Sequence, residues 1–232
     1  MQLSLLSGPS AAFDPRFTGL QRTWLDETAW VDHLPGWLSS SETLFDELVR
    51  TCDWRQRERW MYEKRVLEPR LTTYWLADWG LPLRPPIVEQ MREALGALYG
   101  VVFDSVGFNL YRDGSDSVAW HGDRIGKELT EPVVVLVSLG EARRFLLRPK
   151  RPKGAKSGGP SVKFALGSGD LLVTGGRTQR TWEHSVPKVA RAGPRISLAF
   201  RHGMSPGAYG GTSGGSGGAK GDTDLGETPP GG

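Results

Sequence analysis

The chain has 232 residues, of which 38% are hydrophobic and 24% charged, and its formal net charge is +3 at pH 7. This length favours one domain with a substantial core. The single cysteine, Cys52, excludes an intramolecular disulfide, and no stretch approaches the roughly 20 apolar residues that a membrane-spanning helix needs.

Composition divides the chain into three parts. Residues 1–23 are expected to form a poorly ordered N-terminal extension, and residues 24–202 to form the folded domain. Residues 203–232 are rich in Gly and Ser with little that could be buried, so we expect a disordered tail. The first residues are too short an apolar run for a secretion signal. We therefore expect a monomeric, cytoplasmic protein that is not attached to a membrane.

Two amphipathic helices are predicted in the N-terminal half. Ser39-Ser-Ser-Glu42 has the spacing of a capping box, and apolar residues follow at helical intervals as far as Cys52. The second helix begins at Pro86 and ends near Gly100. Its apolar face contains Val88, Met91, Leu95 and Leu98. Both helices need a sheet or another layer to cover.

Short strands dominate the chain from about residue 106. The predicted strands are 108–112, 132–138, 145–148, 161–166, 170–174 and 195–201, with a further short strand over 181–187. The run Val133-Val-Val-Leu-Val137 indicates a strand buried on both faces. We therefore predict an α+β, mainly β fold, in which a jelly roll (double-stranded β-helix) core has the N-terminal helices packed on one sheet.

Three side chains have the ligand types of a single metal site. His121 and Asp123 are two residues apart, so on an extended segment they point to the same side. His184 lies on another predicted strand, in one of the few positions where this chain has a histidine. Two imidazoles and one carboxylate are typical of non-haem Fe(II) oxygenases, which leave three coordination positions open. The same set also fits a zinc hydrolase.

Four residues of two other strands could bind a dicarboxylate. Arg195 and Arg201 are six apart and face the same way on a strand, and a guanidinium binds a carboxylate through two charge-assisted hydrogen bonds. Asn109 and Tyr111 share one strand face and could add neutral donors. Together they could hold 2-oxoglutarate beside the metal. Alternatively, the arginines are structural and pair with nearby acids.

Several separated motifs resemble those of one family. They are Pro35-Gly-Trp-Leu38, Pro69-Arg-Leu-Thr72, Asn109-Leu-Tyr111, Gly114, Trp120-His-Gly-Asp123, Ser138-Leu-Gly140, Arg143-Arg-Phe145, Gly169-Asp-Leu-Leu172, Gln179, His184-Ser-Val-Pro-Lys188 and Arg195-Ile-Ser-Leu-Ala-Phe-Arg201. In this order they are similar to the AlkB family of Fe(II)- and 2-oxoglutarate-dependent nucleic acid dealkylases.

The resemblance assigns a role to each site residue. It implies that His121, Asp123 and His184 bind Fe(II) and are the catalytic centre. Arg195 and Tyr111 would bind the distal carboxylate of 2-oxoglutarate, and Arg201 with Asn109 the carboxylate nearer the metal.

The implied reaction is oxidative demethylation of an N-methylated base with O2 and 2-oxoglutarate, which releases formaldehyde, succinate and CO2. One position departs from the family pattern. Many members carry an acidic residue two positions after the aspartate ligand, where this chain has Ile125.

The substrate would be alkylated nucleic acid that is single-stranded or has its base flipped out. Tyr74 and Trp75 are candidates for the wall of the base-binding pocket. Alternatively, both are ordinary aromatic residues of the core. Arg143 resembles a family position on the substrate side, and a surface role is the alternative. The segment from Arg148 to Lys156 holds five basic residues and no acid, and Lys150, Arg151 and Lys153 could contact phosphates. A solvated hairpin is the alternative.

The sequence favours a dioxygenase that demethylates bases of the 1-methyladenine and 3-methylcytosine type in DNA. Three alternatives remain open. The first keeps the chemistry but acts on RNA, including tRNA, or on a protein side chain. The second is a non-catalytic nucleic-acid-binding module that retains the fold, and the third is the zinc hydrolase.

Overall fold

Two β-sheets form the frame of the protein, which the computed structural model describes over residues 9–61, 64–123, 125–151 and 160–203. The strands are β1 Ala12–Phe13, β2 Gln21–Trp24, β3 Ala29–Leu34, β4 Leu38–Ser39, β5 Glu58–Met61, β6 Lys64–Leu67, β7 Leu71–Leu76, β8 Ser105–Tyr111, β9 Val118–His121, β10 Val134–Gly140, β11 Arg143–Pro149, β12 Val162–Leu166, β13 Leu171–Gly176, β14 Trp182–Val186 and β15 Arg195–Arg201. The helices are α1 Ser41–Thr51, α2 Pro86–Tyr99 and the short α3 Thr178–Thr181, and a 3-10 turn covers Ala77–Trp79.

The larger sheet has seven strands in the order β2-β3-β13-β10-β15-β8-β7, and the smaller has four in the order β12-β11-β14-β9. Their pairings are antiparallel throughout. Side chains of both sheets meet in one apolar layer that includes Leu136, Phe145, Leu172 and Ala199. This arrangement confirms the predicted mainly β class with a jelly-roll core.

The opposite face of the larger sheet is covered by α1 and α2, as predicted. Leu44 and Leu48 of α1 and Met91 of α2 are fully buried in a second apolar cluster together with sheet residues. The central strand β10 is therefore buried on both sides, since Val135 and Val137 belong to the helix layer and Leu136 to the layer between the sheets. Packing on both faces explains its continuous apolar sequence.

The helix boundaries and faces differ from the prediction in two details. The first helix begins at Ser41, and Ser40 precedes it in a left-handed conformation without a side-chain cap bond to any described residue. The predicted capping box was therefore wrong. Leu98 at the end of α2 is 44% exposed, so it does not belong to the buried face. The end of α2 at Tyr99, followed by left-handed Gly100, confirms the predicted stop.

Residues 9–23 are better packed than the expected poorly ordered extension. Ala12–Phe13 pairs with Leu38–Ser39, and Gln21–Trp24 pairs with β3. Phe13 and Phe17 lie against the Trp37 ring, with ring centres 5.0 and 5.6 Å apart. This segment is held in place by aromatic contacts and strand pairing with residues that follow it in the chain. Its own composition did not indicate this packing. Residues 1–8 and 204–232, which include almost all of the expected tail, lie outside the described residues.

Among the described residues, no helix combines the length and apolar character that crossing a lipid bilayer requires.

Candidate metal centre

His121, Asp123 and His184 come together at one end of the space between the two sheets. His121 is the last residue of β9 and pairs directly with His184 on β14. The two imidazole rings have centres 4.3 Å apart, and one ligand atom from each of the three residues lies within 4.8 Å of the others. The smaller sheet thus supplies both imidazoles, and the loop after β9 brings the carboxylate beside them.

The hydrogen bond of His121 selects which of its nitrogens can bind a metal. Its Nδ1 lies 2.9 Å from the backbone carbonyl oxygen of Ala119. A carbonyl only accepts, so Nδ1 carries the proton and Nε2 keeps its lone pair for a ligand bond. His184 is oriented by packing, since its ring stacks on Phe145 at 5.2 Å.

Burial keeps both imidazoles neutral at physiological pH. It lowers the pKa of His184 to about 3 and also lowers the pKa of His121. Burial alone would raise the pKa of Asp123, but the charge and hydrogen bond of Arg201, together with the neighbouring imidazoles of His184 and His121, outweigh it and hold that pKa well below its usual value. Arg201 Nη2 donates to Asp123 Oδ1 at 2.9 Å. Two neutral imidazoles and one ionised carboxylate are the protonation states that metal binding requires.

Arg195 lies deep between the sheets and is only 1% exposed. Its Nε donates to Ser138 Oγ at 2.9 Å, while its buried Nη1 has no hydrogen-bond partner among the described residues. Its guanidinium carbon lies 5.3 Å from the centre of the Tyr111 ring. Burial lowers the pKa of this guanidinium, as expected for a cation that lacks a counterion. A carboxylate would satisfy both the charge and the unpaired donor.

Strand register places the other predicted carboxylate-binding residues on the same sheet face. Asn109 pairs with Ser197 and Tyr111 pairs with Arg195 across β8 and β15. Arg70 was not among the predicted site residues, and its Nε donates to Asn109 Oδ1 at 3.1 Å. Its position in the Pro69-Arg-Leu-Thr72 motif was the available signal. The four predicted residues and the metal triad therefore border one region, and this donor set fits Fe(II) with a chelating dicarboxylate.

Arg143 does not lie on a substrate-facing surface, so that prediction was wrong. It is 3% exposed, and its two terminal nitrogens donate to the backbone carbonyls of Asp113, Asp116 and Pro187 at 2.8–3.0 Å. These bonds tie together three loop segments. The terminal nitrogens of Arg143 thus serve backbone carbonyls, a role that a sequence motif cannot reveal.

The two candidate pocket aromatics on β7 face opposite sides of the larger sheet. Tyr74 pairs with Gly107 and Trp75 with Val106, so Tyr74 shares the face of Asn109, whereas Trp75 packs on the helix-side core. The Trp75 indole also donates to the carbonyl of Leu81 at 2.7 Å. Trp75 is therefore structural, and only Tyr74 is on the side of the metal centre.

The first residues of the basic segment 148–156 lie near the loop that follows β9 and carries Asp123. Lys150 Nζ donates to the carbonyl of Gln179 at 2.9 Å and would lie 3.4 Å from a side chain placed at Gly122. Arg151 is exposed, and Lys153 lies outside the described residues. Ile125 is 6% exposed and turned toward the interior, so the hydrophobic replacement at this position serves packing.

Comparison with known proteins agrees with this geometry. The 2OG-Fe(II) oxygenase superfamily matches residues 31–201. The chain is 32% identical over 180 residues to the alpha-ketoglutarate-dependent dioxygenase alkB homolog 3 of Bos taurus, covering 71% of this chain and 62% of that protein. It is 34% identical over 194 residues to the DNA oxidative demethylase ALKBH2 of Arabidopsis thaliana, covering 69% and 62%. The matched region thus spans about 62% of these relatives' length.

Solved structures share the fold. OsALKBH1 superposes with a TM-score of 0.54 at 16% identity, covering 78% of this chain and 99% of that one. A 2OG-Fe(II) oxygenase from Burkholderia pseudomallei superposes with a TM-score of 0.51 at 18% identity, covering 74% and 84%. The family match and the assembled triad lead to one conclusion: the chain belongs to the 2OG-Fe(II) oxygenase superfamily, and within it the chain is similar to AlkB homologues.

Proposed function

We propose that this protein is an Fe(II)- and 2-oxoglutarate-dependent dioxygenase that demethylates N-alkylated bases of the 1-methyladenine and 3-methylcytosine type in DNA. The observation that carries the proposal is the metal triad bordering the same region as a buried arginine with an unpaired donor. A zinc hydrolase needs the triad but has no use for Arg195. The similarity to a DNA oxidative demethylase of Arabidopsis thaliana supports the choice of nucleic acid as substrate.

Each residue of the site has a defined task in this reaction. His121, Asp123 and His184 would hold Fe(II), which together with O2 and 2-oxoglutarate supplies the oxidising power that hydroxylates the methyl group. Arg201 helps to keep Asp123 ionised. Arg195 would bind the distal carboxylate of 2-oxoglutarate with the help of Tyr111. The hydroxymethyl base then loses formaldehyde, and succinate and CO2 are the co-products.

An aromatic and cationic cluster on the metal side of β7 could hold the nucleic acid. The ring of Tyr74 lies 5.2 Å from that of Trp79, and the Arg57 guanidinium lies 4.6 Å from the Tyr74 ring centre. Stacking of a base on such a ring contributes about 1–3 kcal/mol. Lys150 and Arg151, on the other side of the metal loop, would contact phosphates.

We also propose the domain bounds, the cellular location and the oligomeric state of the protein. Residues 24–202 are the proposed catalytic domain, and the superfamily match over 31–201 lies inside it. The lone cysteine supports a reducing, cytoplasmic location. A monomer is expected, which size-exclusion chromatography with light scattering tests directly.

A substrate panel tests the proposed activity. Purified protein with Fe(II), ascorbate and 2-oxoglutarate is incubated with methylated single-stranded DNA, duplex DNA, RNA and a methylated peptide, and the loss of one methylene from each lesion is followed by mass spectrometry. Demethylation of DNA that requires 2-oxoglutarate and releases formaldehyde supports the proposal.

The matched control is Asp123→Ala, which should be inactive on every substrate. Demethylation of RNA or peptide alone would move the proposal to that substrate class. Binding of nucleic acid without turnover in any arm would favour the non-catalytic module.

A further inference from the structure

The short helix α3 lies behind the loop that carries the aspartate ligand. Gln179 on this helix is 3% exposed. Its Oε1 accepts from the backbone N–H of Asp123 at 3.1 Å, and its Nε2 donates to Thr174 Oγ1 at 3.0 Å. The backbone of Asp123 is thus hydrogen-bonded to the buried side chain of Gln179, which is itself bonded to Thr174 of the larger sheet.

The direction of these hydrogen bonds is fixed by chemistry. A backbone N–H only donates, so the carbonyl oxygen of Gln179 must face Asp123 and the amide nitrogen must face Thr174. The Thr174 hydroxyl then donates its own hydrogen to the carbonyl of Val134, 3.4 Å away on the central strand. A single orientation of the Gln179 amide satisfies every member of this relay.

Arg180, the next residue of α3, holds the remainder of the same loop. Its Nε donates to the carbonyl of Leu129 at 3.0 Å, and its terminal nitrogens donate to the carbonyls of Ile125 and Gly126. A planar guanidinium with several donors suits carbonyls that converge from different directions. Gln179 therefore anchors the loop at its metal end and Arg180 anchors it further on.

We infer that Gln179 and Arg180 are positioning residues that preset the Asp123 loop for metal binding; this rests on the proposed metal centre. Asp123 is constrained at two points, since Gln179 holds its backbone and Arg201 holds Oδ1. These contacts leave little freedom in where the second carboxylate oxygen lies. Removal of such an outer hydrogen bond lowers metal affinity by about 10- to 100-fold in other metal sites.

Gln179→Met tests the relay, because methionine has a similar length and no oxygen to accept from Asp123. The matched control is Thr178→Val on the same helix. Thr178 is 1% exposed, and its hydroxyl donates to the carbonyls of Gly175 and Trp30, both outside the Asp123 loop. Both variants remove buried side-chain hydrogen bonds, but only Gln179→Met removes one to Asp123.

Metal binding is measured on metal-free protein with Co(II), by calorimetry and by its visible absorption bands, beside thermal melting. Gln179→Met should weaken Co(II) binding by about 10- to 100-fold and change the absorption bands. Thr178→Val should lower the melting temperature but bind Co(II) as wild type does. Arg180→Met, on a partly exposed residue, provides a second variant and should weaken binding in the same direction.

Wild-type Co(II) affinity and spectrum in both folded Gln179→Met and Arg180→Met would overturn the inference. An equal decrease of affinity in Thr178→Val would do the same, because it would indicate a general effect of helix stability. If wild-type protein itself fails to bind Co(II), the proposed metal centre is wrong and this inference falls with it.

Discussion

Arg195→Met removes the cation that we propose binds the distal carboxylate of 2-oxoglutarate. In the structure this guanidinium is buried, bonds Ser138 through Nε, and has an unpaired Nη1. Methionine replaces it with an apolar side chain of comparable length. The variant should therefore fail to bind the co-substrate while keeping the fold.

The magnitude follows from the bonds that the carboxylate would make. A bidentate guanidinium supplies two charge-assisted hydrogen bonds, each contributing about 1.5–3 kcal/mol. Removing both costs about 3 kcal/mol or more, which raises the dissociation constant of 2-oxoglutarate by at least about 100-fold. The ligand-free protein should keep or raise its melting temperature, because an uncompensated buried charge is removed.

The assay is calorimetric titration of 2-oxoglutarate into the Mn(II) form of the protein under nitrogen, so that no turnover occurs. Arg143→Met is the matched control, since Arg143 is also buried and its guanidinium carbon lies 5.7 Å from the Tyr111 ring centre. Its terminal nitrogens bond backbone carbonyls, so this variant should melt earlier and bind 2-oxoglutarate normally. An affinity of Arg195→Met close to that of wild type would refute the assignment of Arg195.

Three further predictions concern the ligands and the basic segment. Asp123→Ala should abolish Mn(II) binding and turnover while its circular dichroism spectrum is unchanged; retained turnover would contradict the proposed site. In metal-free protein, burial lowers the pKa of His184 to about 3, against 6.5 for an unperturbed histidine. Between pH 7 and 5 this histidine therefore takes up a proton in the unfolded chain but not in the folded protein. Stability should then fall by about 2 kcal/mol, and urea unfolding of His184→Gln should lack this decrease; an unchanged pH dependence would argue against a buried neutral imidazole. Neutralising Lys150, Arg151 and Lys153 should weaken oligonucleotide binding and reduce its salt slope by about 1 for each phosphate that the segment binds, whereas an unchanged slope would exclude a role in phosphate binding.

The sequence alone was sufficient for the elements with strong periodicity. The strand predicted over 195–201 is Arg195–Arg201 in the structure, and the fully buried strand through Val135 is central in the larger sheet. Both strands could be predicted from their own residues, because alternating or continuous apolar residues indicate whether one or both faces of a strand are buried. Residues 21–24 were missed as a strand because all four are exposed, so only their pairing with β3 reveals them.

The ligand set of the centre was readable from the sequence, while the roles of the surrounding side chains were decided by tertiary structure. The types and spacing of His121, Asp123 and His184 indicated a metal site, and the resemblance of the motifs around them to one family indicated Fe(II). That Arg143 clamps carbonyls, that Trp75 faces the helices and that Gln179 bonds the ligand backbone depend on which strands are neighbours and in what register. Register is a property of distant segments brought together, and a shift by one residue exchanges the two faces of a strand, so no local pattern could have fixed these roles.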